Sequence, residues 1–370
     1  MKKRYILYAF LLIVVLLAGC EQSSTKKDPQ KQDQSTTHQT IQNVKPISVQ
    51  NSSFYTFADW YDNRHVFYIE NHNGISTIFL YDLYNGSKKE FFKTPQKVIT
   101  LQANPSHTRF VLYTSKSDEE ASLLFLDKKG NEIHSVTLHS FDIQYSWNPT
   151  KPSELIVTGF GEDWSFNTYL INIHKHTKQK IDIPQPFAQW LNGEEVVYLD
   201  WKKDQQSLQA PLRKMNMKTG KTTTLEKGIG TFSMFPETLL AVKAMEDSEK
   251  EKNGTYQFYS SKWHKMKQFS APVLSNFSGW LLPYSQFDSR QKVFYTYVPY
   301  QKGDASEYKG GFDMVSFSLK DGKMKRLFKG VDNIPFKLSP DGTMALYGYQ
   351  LEEIMDLTGK EKRILANFSS

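Results

Sequence analysis

Disulfide chemistry is closed to this chain. Of its 370 residues one is cysteine, Cys20, so no bridge can form within it even in an oxidising compartment. Long apolar runs are scarce too: the longest, Ile6 to Leu17, has twelve residues, short of the roughly 20 that a helix needs to cross a bilayer. The nine histidines are scattered. His174 and His176 stand two apart, but beside a charged turn with no neighbouring Cys or Asp pair, which reads as solvated turn residues rather than metal ligands. No Gly-x-Ser-x-Gly elbow appears, which removes the serine hydrolase that some strand-built scaffolds carry, and no glycine-rich phosphate loop follows a strand. There is no nucleic-acid motif and no concentrated basic face. The expectation is therefore no metal, no cofactor, no catalytic residue and no nucleic-acid partner.

What is present is apolar and aromatic. Hydrophobic residues make up 39% and aromatic residues 14% of the chain, enough to build a substantial core and to exclude global disorder. Aromatic and β-branched residues are spread throughout, as a strand-rich protein needs. The formal charge of +7 falls to +4 once Lys2, Lys3 and Arg4 are removed with the leader described next. That mild excess suits a position beside an anionic membrane or wall.

The first twenty residues have a distinct organisation. Lys2, Lys3 and Arg4 precede the apolar run, which ends in Leu17-Ala18-Gly19-Cys20. A basic start, an apolar centre of this length and small residues at the end make a cleavable export signal over residues 1–19, with cleavage between Gly19 and Cys20. These residues resemble the lipobox of bacterial lipoproteins. The resemblance implies a diacylglyceryl group on the Cys20 thiol, palmitate-type acylation of the mature N-terminus, and a place at the extracytoplasmic face of the cell membrane. Two acyl chains hold stably, since each buried methylene contributes about 0.8 kcal/mol. Residues 21–46 are dominated by Gln, Ser, Thr, Lys and Asp; a segment with so little to bury reads as a spacer. The expected division is signal 1–19, acylated cysteine and tether 20–46, and folded domain 47–370.

Within that domain a unit recurs with a period near 44 residues. A strand ends at a polar turn and a second apolar strand follows: Asp62-Asn63 before Val66-Phe67-Tyr68, Asn104-Pro105 before Phe110-Val111-Leu112, Asn148-Pro149 before Leu155-Ile156-Val157, and Asn192-Gly193 before Val196-Val197-Tyr198. Pro236-Glu237, Asp288-Ser289 and Pro340-Asp341-Gly342 begin the remaining three. A third strand then carries Asp or a small polar residue near a glycine turn, as in Tyr81-Asp82-Leu83-Tyr84-Asn85-Gly86, and an outer strand completes the unit. A four-stranded antiparallel sheet of this kind cannot bury its faces alone, and stacking such sheets around an axis buries them. The expected fold is all-β: a seven-bladed β-propeller of four-stranded antiparallel blades. Ser339-Pro340-Asp341-Gly342 with its following strand resembles the repeat of TolB-like propellers. Lipobox, spacer and repeats together resemble the YqgU-type lipoproteins of Gram-positive bacteria, a resemblance that brings no activity with it.

Loops on a rigid scaffold are where function is expected. Three stand out, and they give the candidate binding residues Glu162, Asp163 and Trp164, then Trp201, then Tyr300 and Tyr308. Flat rings beside polar groups suit sugars or peptide side chains. The expected function is a non-catalytic binding or scaffold module for a protein, peptide or cell-wall ligand. The alternative is a glycan-active hydrolase or lyase using loop carboxylates such as Glu162 or Asp163, which requires two carboxylates set across a cleft.

Overall fold

Short antiparallel strands need tight reversals, and here side chains supply the hydrogen bonds that close them. At the turn joining the first two strands of a unit, one Asp or Asn oxygen accepts two backbone N–H groups: Asp62 from Arg64 and His65, Asn104 from Thr108 and Arg109, Asn192 from Glu194 and Glu195, Asp288 from Arg290 and Gln291. The polar residue closing the third strand does the same for the next turn, as in Asp82 with Tyr84 and Asn85 and Asn216 with Lys218 and Thr219. This is the local chemistry that makes Asx residues turn formers, and it explains the Asp and Asn periodicity of the sequence. Burial opposes the charge on Asp82, but the guanidinium of Arg64 at 2.7 Å and the two N–H groups outweigh it and hold the carboxyl below its usual range.

The structure is a computed structural model, and it describes residues 41–117, 119–202, 207–244, 253–276 and 279–369. Gly19, Cys20, the signal and most of the spacer lie outside the described residues. The expected tether boundary at residue 46 moves. Ile41–Asn43 forms a 3-10 turn, and Ile41 and Val44 are buried in the apolar cluster between the first and last sheets, so the folded unit begins by Ile41. Ile41 and Val44 are the apolar interruptions in an otherwise polar segment, and the core takes them.

Five antiparallel sheets have four strands each. Sheet 1 comprises Phe54–Trp60, His65–His72, Ile75–Asp82 and Lys88–Thr94; sheet 2 runs from Lys97–Ala103 to Glu132–His139; sheet 3 runs from Asp142–Trp147 to Thr177–Ile181. Sheet 5 comprises Ser285–Asp288, Val293–Pro299, Phe312–Ser318 and Met324–Val331, and sheet 6 runs from Phe336–Leu338 to Glu361–Ile364. Sheet 4 has seven strands, Gln189–Trp190 through Lys265–Pro272. This corrects the expectation of seven separate four-stranded sheets. The fourth and fifth sequence units share the single strand Thr222–Phe235. No turn breaks it: Gly228, at φ 69°, and register shifts on either side bend the strand where a connection was expected.

The second strand of each unit has an apolar centre because it is covered on both sides. Val66, Phe67, Tyr68 and Ile69 are all fully buried, alternating between the cluster shared with sheet 6 and the cluster shared with sheet 2. Buried area of that order is the main favourable term in folding. The ring closes where sheet 1 meets sheet 6. Phe57 N donates to Gln350 O at 2.9 Å, Gln350 Nε2 donates to Tyr55 O at 2.9 Å, and Ile47–Gln50 pairs in parallel with Ala366–Ser369. All the apolar clusters of the described residues lie between Ile41 and Ala366.

Candidate binding faces

The ring has two ends, set by strand direction. The turns between first and second and between third and fourth strands lie at one, the turn end. The loops between second and third strands and the links between units lie at the other, the loop end. Glu162, Asp163, Trp164, Trp201, Tyr300 and Tyr308 all fall on loops of the loop end.

Glu162, Asp163 and Trp164 share one tight loop between Glu154–Phe160 and Phe166–Asn172. Gly161 N donates to Ser165 O, and Trp164 N to Gly161 O. Asp163 Oδ1 accepts from Ser165 N at 3.0 Å; the Ser165 hydroxyl and this N–H hold the carboxyl below its usual range. The loop forces Trp164 to φ 62°, a left-handed conformation that an L side chain adopts at a cost. Its indole is 78% exposed. Beneath it lies Phe160, centroid at 6.2 Å, which also meets Phe187 at 5.4 Å. Trp164 and Phe187, both exposed, thus meet one buried ring; Phe141, also exposed, joins Phe160 only through the backbone, its N donating to Phe160 O.

Trp201 sits on the neighbouring loop in a different role. Its ring packs against the cluster containing Leu199 and Ala210, and its carbonyl accepts from Gln185 Nε2 at 3.0 Å. Tyr300 and Tyr308 belong to sheet 5, away from sheet 3, and hold each other: Tyr300 N donates to the Tyr308 hydroxyl, which donates to Gly311 O. Tyr300 donates in turn to Asp313 at 3.0 Å, and partial burial together with that carboxylate raises its phenol above the ordinary value. Tyr308 packs beside Phe312. The six expected residues therefore divide: the Glu162–Trp164 loop is presented outward, Trp201 and Tyr308 are mainly packed, and Tyr300 is half-exposed on a braced loop.

Other loop-end rings had no sequence signal of their own. Phe141 and Phe187 lie in links between units, and Tyr284 and Tyr349 are likewise exposed. In a sequence so rich in core aromatics, only the position at the loop end sets them apart.

At the turn end is a cavity of about 500 Å³ lined by the ends of the first strands of sheets 1, 2, 3, 5 and 6 and of the shared strand of sheet 4, including Asp59, Trp147, Phe235, Asp288 and Lys337, with His107 from a turn. Asp59 is committed. Its oxygens accept from Trp60 N at 2.8 Å and Ala103 N at 3.0 Å, and Lys337 Nζ stands 3.7 Å away. Tyr145 has its phenol raised, first by burial and then by the charge of Asp59. Asp288 spends one oxygen on its turn, and the other is buried against Gly342, where a Cβ would stand 2.3 Å from it. Among the described residues no three His, Cys, Asp or Glu side chains approach closely enough to hold a metal ion. His176 does meet a partner, His134, with Nδ1 atoms 3.1 Å apart.

One expectation is corrected by the fold: no concentrated basic face was expected, yet lysines gather at the turn end. Each unit places at least two lysines at or beside the turn between its third and fourth strands, as at Lys88-Lys89, Lys218/Lys221 and Lys320/Lys323/Lys325. A spacing of some 44 residues hides in the sequence what the ring brings to one rim.

Four-stranded antiparallel sheets arranged around an axis, with their apolar faces buried between neighbours, define a β-propeller. The family model described as the YqgU-like 6-bladed beta propeller domain matches residues 82–348, and the chain belongs to that family. The chain is 23% identical over 356 residues to the uncharacterized lipoprotein YqgU of Bacillus subtilis strain 168, covering 96% of each. Among solved structures it is similar to the uncharacterized protein lmo1340 of Listeria monocytogenes EGD-e, with a TM-score of 0.79, 20% identity, and coverage of 88% of this chain and 98% of that one. The β-propeller domain of the Trilobed protease from Pyrococcus furiosus is similar at TM-score 0.57 and 13% identity, covering 86% and 99%. At these identities the structural likenesses establish the fold alone. The family description gives six blades where seven were expected.

Proposed function

We propose that the chain is an extracytoplasmic lipoprotein, cleaved after Gly19 and acylated on Cys20, whose propeller is a non-catalytic module binding a peptide or cell-wall chain at its loop end. The observation that carries the binding reading is the pair of exposed rings at Trp164 and Phe187, both against Phe160, beside the carboxylates of Glu162 and Asp163 in the same loop as Trp164. Exposed rings on a rigid scaffold are costly to leave in water and bury large area at low entropic cost when a partner covers them. The lipobox-like leader supports the anchor, and the relative in Bacillus subtilis bears the name lipoprotein. We further read sheet 4 as two blades sharing a strand, because Leu199 and Leu212 of its first half pack face to face with Leu239 and Ala241 of its second.

The glycan-active alternative asks for two carboxylates free to act across a cleft. Asp59 and Asp288 do share the turn-end cavity, but their oxygens are held by backbone N–H groups or buried against Gly342, which favours binding over catalysis. Two measurements test the proposal. Radiolabelled palmitate should enter the wild type and not Cys20→Ala; a labelled variant ends the anchor reading. Titration with soluble muropeptides should change tryptophan fluorescence saturably, with affinity at least tenfold weaker in Trp164→Ala/Phe187→Ala. Undiminished affinity in that folded variant would remove the loop end as the site.

A further inference from the structure

We infer that the turn end of the propeller is a docking surface for an anionic membrane, with the open cleft between the outer parts of sheets 5 and 6 at its centre. That cleft, about 610 Å³, is lined by Lys320, Lys323, Lys325 and Lys360 with Asp321 as its sole acid. All four lysines are exposed. Asp321 engages Lys323 at 3.6 Å, and Lys360 Nζ donates to Arg326 O, while Lys320 and Lys325 have no ion pair with a carboxylate among the described residues. The side chain of Met324, 40% exposed, stands between Lys323 and Lys325 in sequence. A basic surface with an apolar side chain among its lysines suits the headgroup layer of an anionic bilayer, where each lysine adds to the attraction within a Debye length of the surface.

The charge is segregated by end. Lysines recur at every unit's outer turn around the same rim, whereas the loop end carries the acid pair Glu162-Asp163 with no lysine in its loop. A ring polarised in this way orients in the field of an anionic surface with the turn end inward.

The point of chain entry gives the bilayer, rather than another polyanion, as the occupant. The folded unit begins at the turn end. Arg363 Nη1 donates to Gln42 O, and Lys45 Nζ donates to Asn85 O in the outer turn of sheet 1. About twenty residues separate Ile41 from Cys20. With the anchor proposed above, on which the choice of bilayer rests, the basic end is the one held next to the membrane. The aromatic loop end then faces outward.

The test uses the chain from residue 20 onward with Cys20→Ser, so that no acyl chain contributes and the docking surface is read separately from the anchor. Sedimentation with vesicles of phosphatidylglycerol and phosphatidylcholine should show binding that falls steeply with added salt, and none to pure phosphatidylcholine. Lys320→Glu/Lys323→Glu/Lys325→Glu/Lys360→Glu should weaken it at least tenfold, and the corresponding Gln variant should fall between. Because these side chains are exposed, thermal unfolding confirms that each variant is folded. Absence of binding to anionic vesicles overturns the inference, as does binding unchanged in the Glu variant. Binding to soluble polyphosphate without binding to vesicles overturns it too, because the partner is then a polymer and not a bilayer.

Discussion

The indole Nε1 of Trp60, on the innermost strand of sheet 1, donates to the backbone oxygen of Lys337, on the innermost strand of sheet 6, at 2.9 Å across 277 positions of sequence. Trp60 is fully buried, and the contact joins the first and last sheets of the ring. Trp60→Phe keeps most of the ring's packing but leaves a carbonyl without its donor, which costs about 1–3 kcal/mol. Trp60→Ala adds a cavity and costs about 3–5 kcal/mol. Urea unfolding of the two variants checks the order and the size.

The parallel pairing of Ile47–Gln50 with Ala366–Ser369 is the second closure. Ile47 is 7% exposed and belongs to the cluster that also holds Leu365 and Ala366. Ile47→Ala is expected to cost about 2–5 kcal/mol. A chain ending at Leu365 loses the pairing outright and the Phe54–Phe368 ring contact, so its urea midpoint should be lower than wild type. An unchanged midpoint on truncation would show that the clasp is not part of the cooperative unit.

His134 and His176 give stability a dependence on mild acidity. Burial, and then the neighbouring His176, hold the His134 imidazole below its usual range. The folded protein therefore binds fewer protons than the unfolded chain. The contribution is fully present above the unfolded histidine value, about 6.5, and is lost as pH falls through the folded value. Urea midpoints should drop on going from pH 7.5 to 5.5, and the drop should shrink in His134→Gln. An equal drop in both proteins would place the titration elsewhere.

Trp164 separates stability from binding. At φ 62° and 78% exposure, the residue is strained and contributes little packing. Replacement by glycine relieves a left-handed conformation worth about 1–2 kcal/mol for a residue with a Cβ, and gives back part of it through the entropy of the unfolded chain. Trp164→Gly should unfold at the same or a slightly higher urea concentration than wild type while losing affinity for the loop-end ligand. Marked destabilisation would make the ring a structural one.

Much of the fold was legible because turns and strands are written in local chemistry. Asp62, Asn104, Asn148, Asn192, Asp288 and Asp341 mark the first turn of their units because each caps it with its own oxygen, and the apolar strands after them are buried on both faces. The sharing of Thr222–Phe235 was not legible, since Gly228 and Gly230 read equally as a turn or a bend. Ile41 and Val44 look like part of a polar spacer until the cluster they fill is seen. Among the site residues, the tight loop of Glu162–Trp164 stood out by its composition and is presented outward. Trp201 and Tyr308 carry the same composition, but packing decides their exposure, and local sequence does not encode packing. The basic rim was invisible for another reason: its lysines are adjacent only once the ring has formed.

The most direct test of the two-ended account is photo-crosslinking in the cell envelope from the full-length, processed chain, with a photoreactive side chain placed either at Phe187 or at Gly322. The account predicts peptide or wall adducts from Phe187 and lipid adducts from Gly322. Lipid adducts from Phe187, with wall adducts from Gly322, would contradict it.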